Sequence, residues 1–193
     1  MAQVQHSALP DSQLHEPKGV ASAASGKVYV ANGSGSGVWQ YVAGHAYGDL
    51  YISNSSTSQT LAAASALAKL NPTGAWTANG YQNITPSAAD GQFTIVQSGV
   101  YQLDFWIVFE TASIASGSVY NFHYAINGTA STRKVYAKKP TNGVDTIHLA
   151  VNGYVTLSAG DVLTMYVGGG ATSSGTAITP KEASLSCLIV DPN

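Results

Sequence analysis

The chain has 193 residues with a net charge of −2; 9 % of its residues are charged and 45 % hydrophobic. That length holds one compact domain plus an appendage, or two very small domains. The balance of charge excludes the basic footprint of a nucleic-acid binder, and the single cysteine, Cys187, excludes a disulfide framework within one chain.

In chain order, Met1 to His6 has neither the basic stretch nor the apolar core of a secretory signal. No apolar run reaches the ~20 residues that span a bilayer. The expectation is synthesis and folding in a cytoplasm, without membrane insertion. Residues 1–45 differ from the rest: Pro10, Pro17, Gly19, Gly26 and the run Gly33-Ser-Gly-Ser-Gly37 punctuate them, and one strand is predicted, Lys27–Ala31. Large apolar residues are too few here for an independent core. His15-Glu16-Pro17-Lys18-Gly19 gathers both charge signs, an imidazole and a turn-former, and Trp39 and Tyr41 follow the Gly/Ser run. Bulky aromatics in such a segment suit an arm that orders against a partner.

From residue 46 the pattern is all-β. Asp49–Ser53 and Gln92–Val96 are short strands. Between them, Thr60–Leu70 is rich in Ala and Leu and reads either as a short helix stopped at Asn71-Pro72 or as a pair of Ala-rich strands. The anchor of the fold is Gly99–Phe109. Tyr101, Leu103, Phe105, Ile107 and Phe109 share one parity, and Gln102 and Asp104 fall on the other. Successive strand side chains point to opposite faces, so this is a half-buried strand.

Val119–Ile126 alternates likewise, with Tyr120, Phe122, Tyr124 and Ile126 predicted inward, and Asn127-Gly128 after it is a strong hairpin signal. Thr146–Val151, Tyr154–Leu157, Val162–Val167 and Leu185–Val190 complete the strands. Ser158–Asp161 reads as a turn, Gly168–Gly170 as a flexible loop, and Cys187 as a small buried hydrophobe. Regular strands with intervening turns indicate an antiparallel sandwich or jelly roll.

Catalytic and metal chemistry has no signature. His6, His15, His45, His123 and His148 do not pair with one another, with Cys or with carboxylates at ligand spacing. Gly168–Gly170 lacks the Lys-Ser/Thr and helix of a phosphate loop. Asp90, Asp104 and Glu110 read as a solvated face rather than a glycosidase pair. No cofactor, metal or catalytic residue is expected. Asn54, Asn83 and Asn127 begin glycosylation-type triplets that are expected by chance in a chain so rich in Asn, Ser and Thr.

Gly99-Val-Tyr101 opening an aromatic strand, Asn127-Gly128 after an alternating strand, Leu157-Ser-Ala-Gly-Asp161-Val and a closing strand at Leu185–Val190 together resemble the tumour-necrosis-factor-like jelly roll, also used by the globular heads of complement recognition proteins. The resemblance covers about residues 90–190. It implies a homotrimer built through aromatic-rich faces over residues 46–193. The segment Leu9-Pro-Asp-Ser-Gln-Leu-His15-Glu-Pro-Lys-Gly19, with Lys27-Val-Tyr-Val30 and the Gly/Ser run into Trp39, resembles an N-terminal segment of tailed-phage head-fibre, decoration and tail-associated proteins.

That second resemblance implies an attachment arm over residues 1–45, contacting the major capsid protein through His15, Glu16, Pro17, Lys18, Gly19 and Trp39. The combined expectation is a non-enzymatic virion protein on the capsid surface. One alternative is a tail-associated module that reads host surface glycans through Trp76 or Trp106. Another is a depolymerase whose acids, Asp104 among them, meet at a trimer interface.

Overall fold

A computed structural model describes residues 24–25, 27–31, 34, 37–41, 46–63 and 66–192, with only the backbone at 40 and 41. They belong to two compact units, one ending at Val42 and the other beginning at Ala43.

The first unit contains a hairpin of β1 (Lys27–Ala31) and β2 (Gly37–Tyr41), paired antiparallel with Tyr29 opposite Trp39. Their rings meet edge to face, 5.3 Å between centroids and 61° apart. Gly37 permits this: a Cβ there would lie 2.5 Å from the Val30 carbonyl oxygen and 2.7 Å from the Tyr29 ring. The second strand is a correction to the sequence reading, which placed only Lys27–Ala31 in a strand. Alternation is too short to register over Gly37–Tyr41, and the Tyr29–Trp39 contact supplies what periodicity does not.

The second unit contains β3 (Tyr47–Ile52), β4 (Gln59–Thr60), β5 (Leu67–Lys69), β6 (Trp76–Gln82), β7 (Ile84–Ser87), β8 (Gln92–Ile95), β9 (Gly99–Thr111), β10 (Val119–Ile126), β11 (Thr129–Lys138), β12 (Thr146–Leu157), β13 (Val162–Gly169) and β14 (Ala177–Pro192). One sheet runs β12-β9-β14-β3-β6, with β4 on the end of β14. The other runs β11-β10-β13-β8-β7, with β5 beside β13. Every pairing is antiparallel. The fold is an all-β antiparallel jelly-roll sandwich, and no helix of the described residues is long and apolar enough to cross a membrane.

The core lies between the sheets, and β9 supplies its spine. Tyr101, Phe105, Ile107 and Phe109 are fully buried and Leu103 nearly so, each contributing about 1.5–3 kcal/mol through the area removed from water. Phe109 packs against Tyr120 at 5.4 Å and Phe122 at 5.3 Å, and Phe105 reaches Phe122 at 5.9 Å. These tilted and edge contacts between the inward sides of β9 and β10 suit the aromatic quadrupole. Tyr101 buries its hydroxyl by donating to the Gln97 carbonyl at 2.6 Å, and burial pushes that phenol well above the ordinary tyrosine range.

Two turns are bound together. Asn127 and Gly128 both have positive φ, 51° and 79°, which fits the tight β10–β11 connection that Asn-Gly encodes. The Asn127 Nδ2 group donates to Asp161 Oδ1 at 2.8 Å, and Asn127 Oδ1 accepts from the Val162 amide at 2.9 Å. Asp161 Oδ2 accepts from the Ser158 amide at 2.8 Å. The Asn-Gly hairpin and the Ser158–Asp161 turn, separate signals in the sequence, thus form one hydrogen-bonded clasp.

Several segments depart from expectation. Gln59–Thr60 and Leu67–Lys69 are short strands, so the described part of Thr60–Leu70 is not a helix, and Ala68 lies opposite Val167 of β13. Thr146–Leu157 is one unbroken strand. The last strand starts at Ala177, with a register shift between Pro180 and Glu182 that accommodates a proline, lacking an amide donor, within the sheet. Gly168 and Gly169 are buried in β13, not in a loop. A Cβ on Gly168 would lie 2.7 Å from the Ala66 carbonyl oxygen, so the glycine is required by the approach of β5.

Candidate functional site: an exposed face of the β9 sheet

The inward parity of β9 is core, and its other parity, with the matching residues of its neighbours, forms a broad outer face. Register places Tyr154 (β12), Gln102 (β9), Leu188 (β14) and Tyr47 (β3) side by side in one row. Tyr154 is 65 % exposed, Leu188 42 % and Tyr47 40 %. A second row holds Ala150, Trp106, Ser184, Tyr51 and Thr77, with Trp106 40 % exposed. Side chains two residues apart on a strand share a face, so these rows flank a polar one of Asn152, Asp104, Ser186 and Asp49.

Asp49 is held by the Ser184 hydroxyl at 3.0 Å and the Asn79 amide at 3.2 Å. Shallow hollows of about 340 Å³ and 330 Å³ dent this face, the first floored by Gly48 and Ser186 between Tyr47 and Asp104, the second beside Trp106 and His148. Large apolar side chains placed together on a solvated face suit contact with another surface.

The residues singled out from sequence separate clearly. Tyr101, Leu103, Phe105, Ile107 and Phe109 are core. His15, Glu16, Pro17, Lys18 and Gly19 lie outside the described residues. Trp39 is half-buried on β2 against Tyr29. Trp76 corrects the expectation of an exposed glycan-reading ring: it is 5 % exposed and its Nε1 donates to the Leu70 carbonyl at 3.1 Å. Trp106 keeps that property.

Asp104 and Glu110 do lie on the outer parity of β9, and Glu110 pairs with Lys181 at 3.2 Å. His148 is exposed on β12, while His123 Nδ1 lies 2.9 Å from the Ser131 carbonyl oxygen. Among the described residues no group of three or more His, Cys, Asp or Glu side chains is placed to hold a metal ion. Cys187 is buried, and desolvation pushes its thiol up to about 12, which leaves it protonated and inert as a nucleophile at neutral pH.

One tight polar site escaped sequence reading. Lys139, after β11, has a wholly buried side chain. Its Nζ donates to Asp145 Oδ2 at 2.6 Å and to the Gly143 carbonyl. Asp145 also accepts from the Thr141 hydroxyl at 2.7 Å and the Thr141 amide at 3.1 Å. The Lys139 ammonium and the Thr141 donors hold the Asp145 carboxyl below its ordinary value of 3.8. A carboxylate with its donors satisfied inside one loop is a loop staple and not an acid–base pair.

No family model and no curated protein sequence matches the chain. Among solved structures it is similar to the globular domain of the zebrafish complement 1qA protein, with a TM-score of 0.50 and 13 % identity over 77 % of this chain and 99 % of that one. It also aligns with the Eiger tumour necrosis factor of S. frugiperda at a TM-score of 0.47 and 11 % identity, over 75 % and 92 % of the two chains. The first likeness shows the fold alone, a jelly roll like that of the complement globular head.

Proposed function

We propose that the protein is a non-enzymatic structural component of a tailed-phage virion, a capsid decoration or head-fibre protein that assembles as a homotrimer. The observation that carries the assembly is the set of exposed apolar residues on one sheet face, Tyr47, Trp106, Tyr154 and Leu188. Three copies of a jelly roll set around an axis bury such a face in a closed cyclic arrangement, which leaves no unsatisfied copy of the surface.

Attachment falls to residues 1–45, whose His15–Gly19 and Trp39 contact the major capsid protein in this reading. Three linked arms hold far more firmly than one, because each later contact is intramolecular. A trimer also matches the threefold positions of an icosahedral shell. In this reading the jelly roll faces outward on the capsid surface.

Two measurements test this. Light scattering on the full chain gives its mass, and a monomer at micromolar concentration refutes the trimer. Densitometry of purified virions against the major capsid protein gives copy number. Many copies over the head support decoration, and loss of capsid binding on deleting residues 9–19 locates the attachment. A few copies confined to the tail favour a receptor-binding module instead, a reading that the exposed indole of Trp106 supports.

A further inference from the structure

Charge is sorted between the two sheets. Strands of the β9 sheet carry Asp49, Asp104, Glu110, Glu182 and Asp191 against Lys181 alone. Strands of the β10 sheet carry Lys69, Arg133, Lys134 and Lys138 and no acid at all. A chain with a net charge of −2 therefore turns a basic face of Lys69, Lys134 and Lys138 to the side opposite the apolar rows described above, with Lys69 Nζ donating to the neutral Gln92 Oε1 at 2.7 Å, while Arg133 lies on the other parity of β11.

Pairing specifies how the basic face is built. Lys134, His123, Tyr166 and Lys69 lie opposite one another across β11, β10, β13 and β5. The neighbouring row is Tyr136, Asn121, Gly168 and Leu67, and Lys138 lies opposite Val119. Tyr136 is 60 % exposed. A hollow of about 260 Å³ lies between Lys134, His123, Asn121 and Gly168. It exists because β13 carries no side chain at position 168.

We propose that this face binds an acidic polysaccharide, a linear glycan with carboxylates or phosphodiesters along its chain. The cations do not converge on one point. With strands ~4.8 Å apart and a rise of ~3.4 Å per residue, Lys134 is about 14 Å from both Lys69 and Lys138. Such spacing suits charges repeated along a polymer and not a single compact anion. Tyr136 and Tyr166, set among the cations, offer flat apolar faces with hydroxyl edges for sugar rings. Asn121 and His123 supply hydrogen-bonding groups beside the hollow.

Duplex nucleic acid fits less well. Affinity for it grows with the number of phosphates neutralised, this face offers few cations, and the guanidinium of Arg133 is engaged at the strand edge with the Asn152 carbonyl at 3.2 Å. Lysines on the edge strand β11 also discourage strand pairing with other chains, and charge reversal separates the two roles, since a glutamate still guards an edge but repels a polyanion. The inference rests on the fold alone and holds wherever the protein is anchored.

The experiment uses the full chain, immobilised and exposed to polygalacturonate, poly(glycerol phosphate), neutral dextran and a DNA duplex over a salt series. The expected result is salt-sensitive binding to one or both acidic polymers, the responding one identifying the anion, with none to dextran. The double variant K134E/K138E should lose at least about ten-fold in affinity while keeping the mass of the parent by light scattering. The proposal is overturned if neither acidic glycan binds at low salt, if dextran binds equally, if the variant binds as the parent does, or if the duplex binds more tightly than either glycan. A change of mass in the variant overturns it too, because the basic face would then be an interface between copies. Unchanged mass with no glycan binding rejects this inference and leaves the trimer standing.

Discussion

Replacing Trp106 by alanine is the sharpest test of the assembly face. Trp106 exposes 40 % of its surface in the isolated chain. An indole side chain buries up to ~250 Å², so assembly has about 100 Å² of this residue left to cover. At roughly 25 cal/mol per Å² that is about 2.5 kcal/mol per copy. Alanine retains little of it. A trimer loses the contribution three times, about 7.5 kcal/mol, which weakens association by roughly five orders of magnitude at 1.4 kcal/mol per factor of ten.

Sedimentation equilibrium over a dilution series reads this directly: the parent stays trimeric to low concentration and W106A dissociates in the micromolar range. Circular dichroism should remain that of a folded sandwich, because Trp106 points away from the core. Tyr136→Ala, on the other sheet, is the control and should leave the mass unchanged. A W106A protein that dissociates at the same concentration as the parent refutes the reasoning, as does dissociation caused by Y136A.

Three further outcomes follow from the geometry. Asp161→Ala removes acceptors for the Ser158 amide and the Asn127 side chain and should lower stability by about 1–3 kcal/mol, read as a shift in urea midpoint without a change in slope. Cys187, buried in the last strand with its thiol raised to about 12, should resist an aromatic disulfide reagent at pH 8 and react at once in denaturant; rapid reaction in buffer would show the strand opening. Asp145 has a folded-state pKa below its ordinary 3.8, so its contribution to stability is complete above that value and is lost as pH falls through the lower, folded one. Denaturation midpoints measured from pH 5 down to pH 2 should decline in the parent and decline less in D145N; parallel curves would dismiss the staple.

Local pattern was sufficient for a good part of the fold. The alternation of Tyr101 to Phe109 identified the core strand and its buried face residue by residue, because a period of two is a property of adjacent residues. Asn127-Gly128 and Ser158–Asp161 identified turns for the same reason, since backbone preference at positive φ is carried by the residues themselves. Where large apolar residues are sparse the signal fails. β11 carries no such signal, because its alternation is among Lys, Tyr, Ala and Arg on a half-solvated edge. β5 was ambiguous because alanine suits a helix as well as a sheet, and tertiary pairing with β13 decides it.

Trp76 and Gly168 mark a different boundary. No neighbour in sequence says that one is core and the other a point of close approach, since Leu70 and Ala66 become their partners only through the folded chain. The assembly face and the basic face belong to that second class. Their residues are scattered between positions 47 and 188, and net charge averages acids and bases that the two sheets hold apart. Sequence determined the class of fold and the face of each strong strand, because those depend on neighbouring residues. Which strands lie side by side, and hence which surfaces exist to bind anything, was decided by the packing of distant segments, where burial and register act on the whole chain at once.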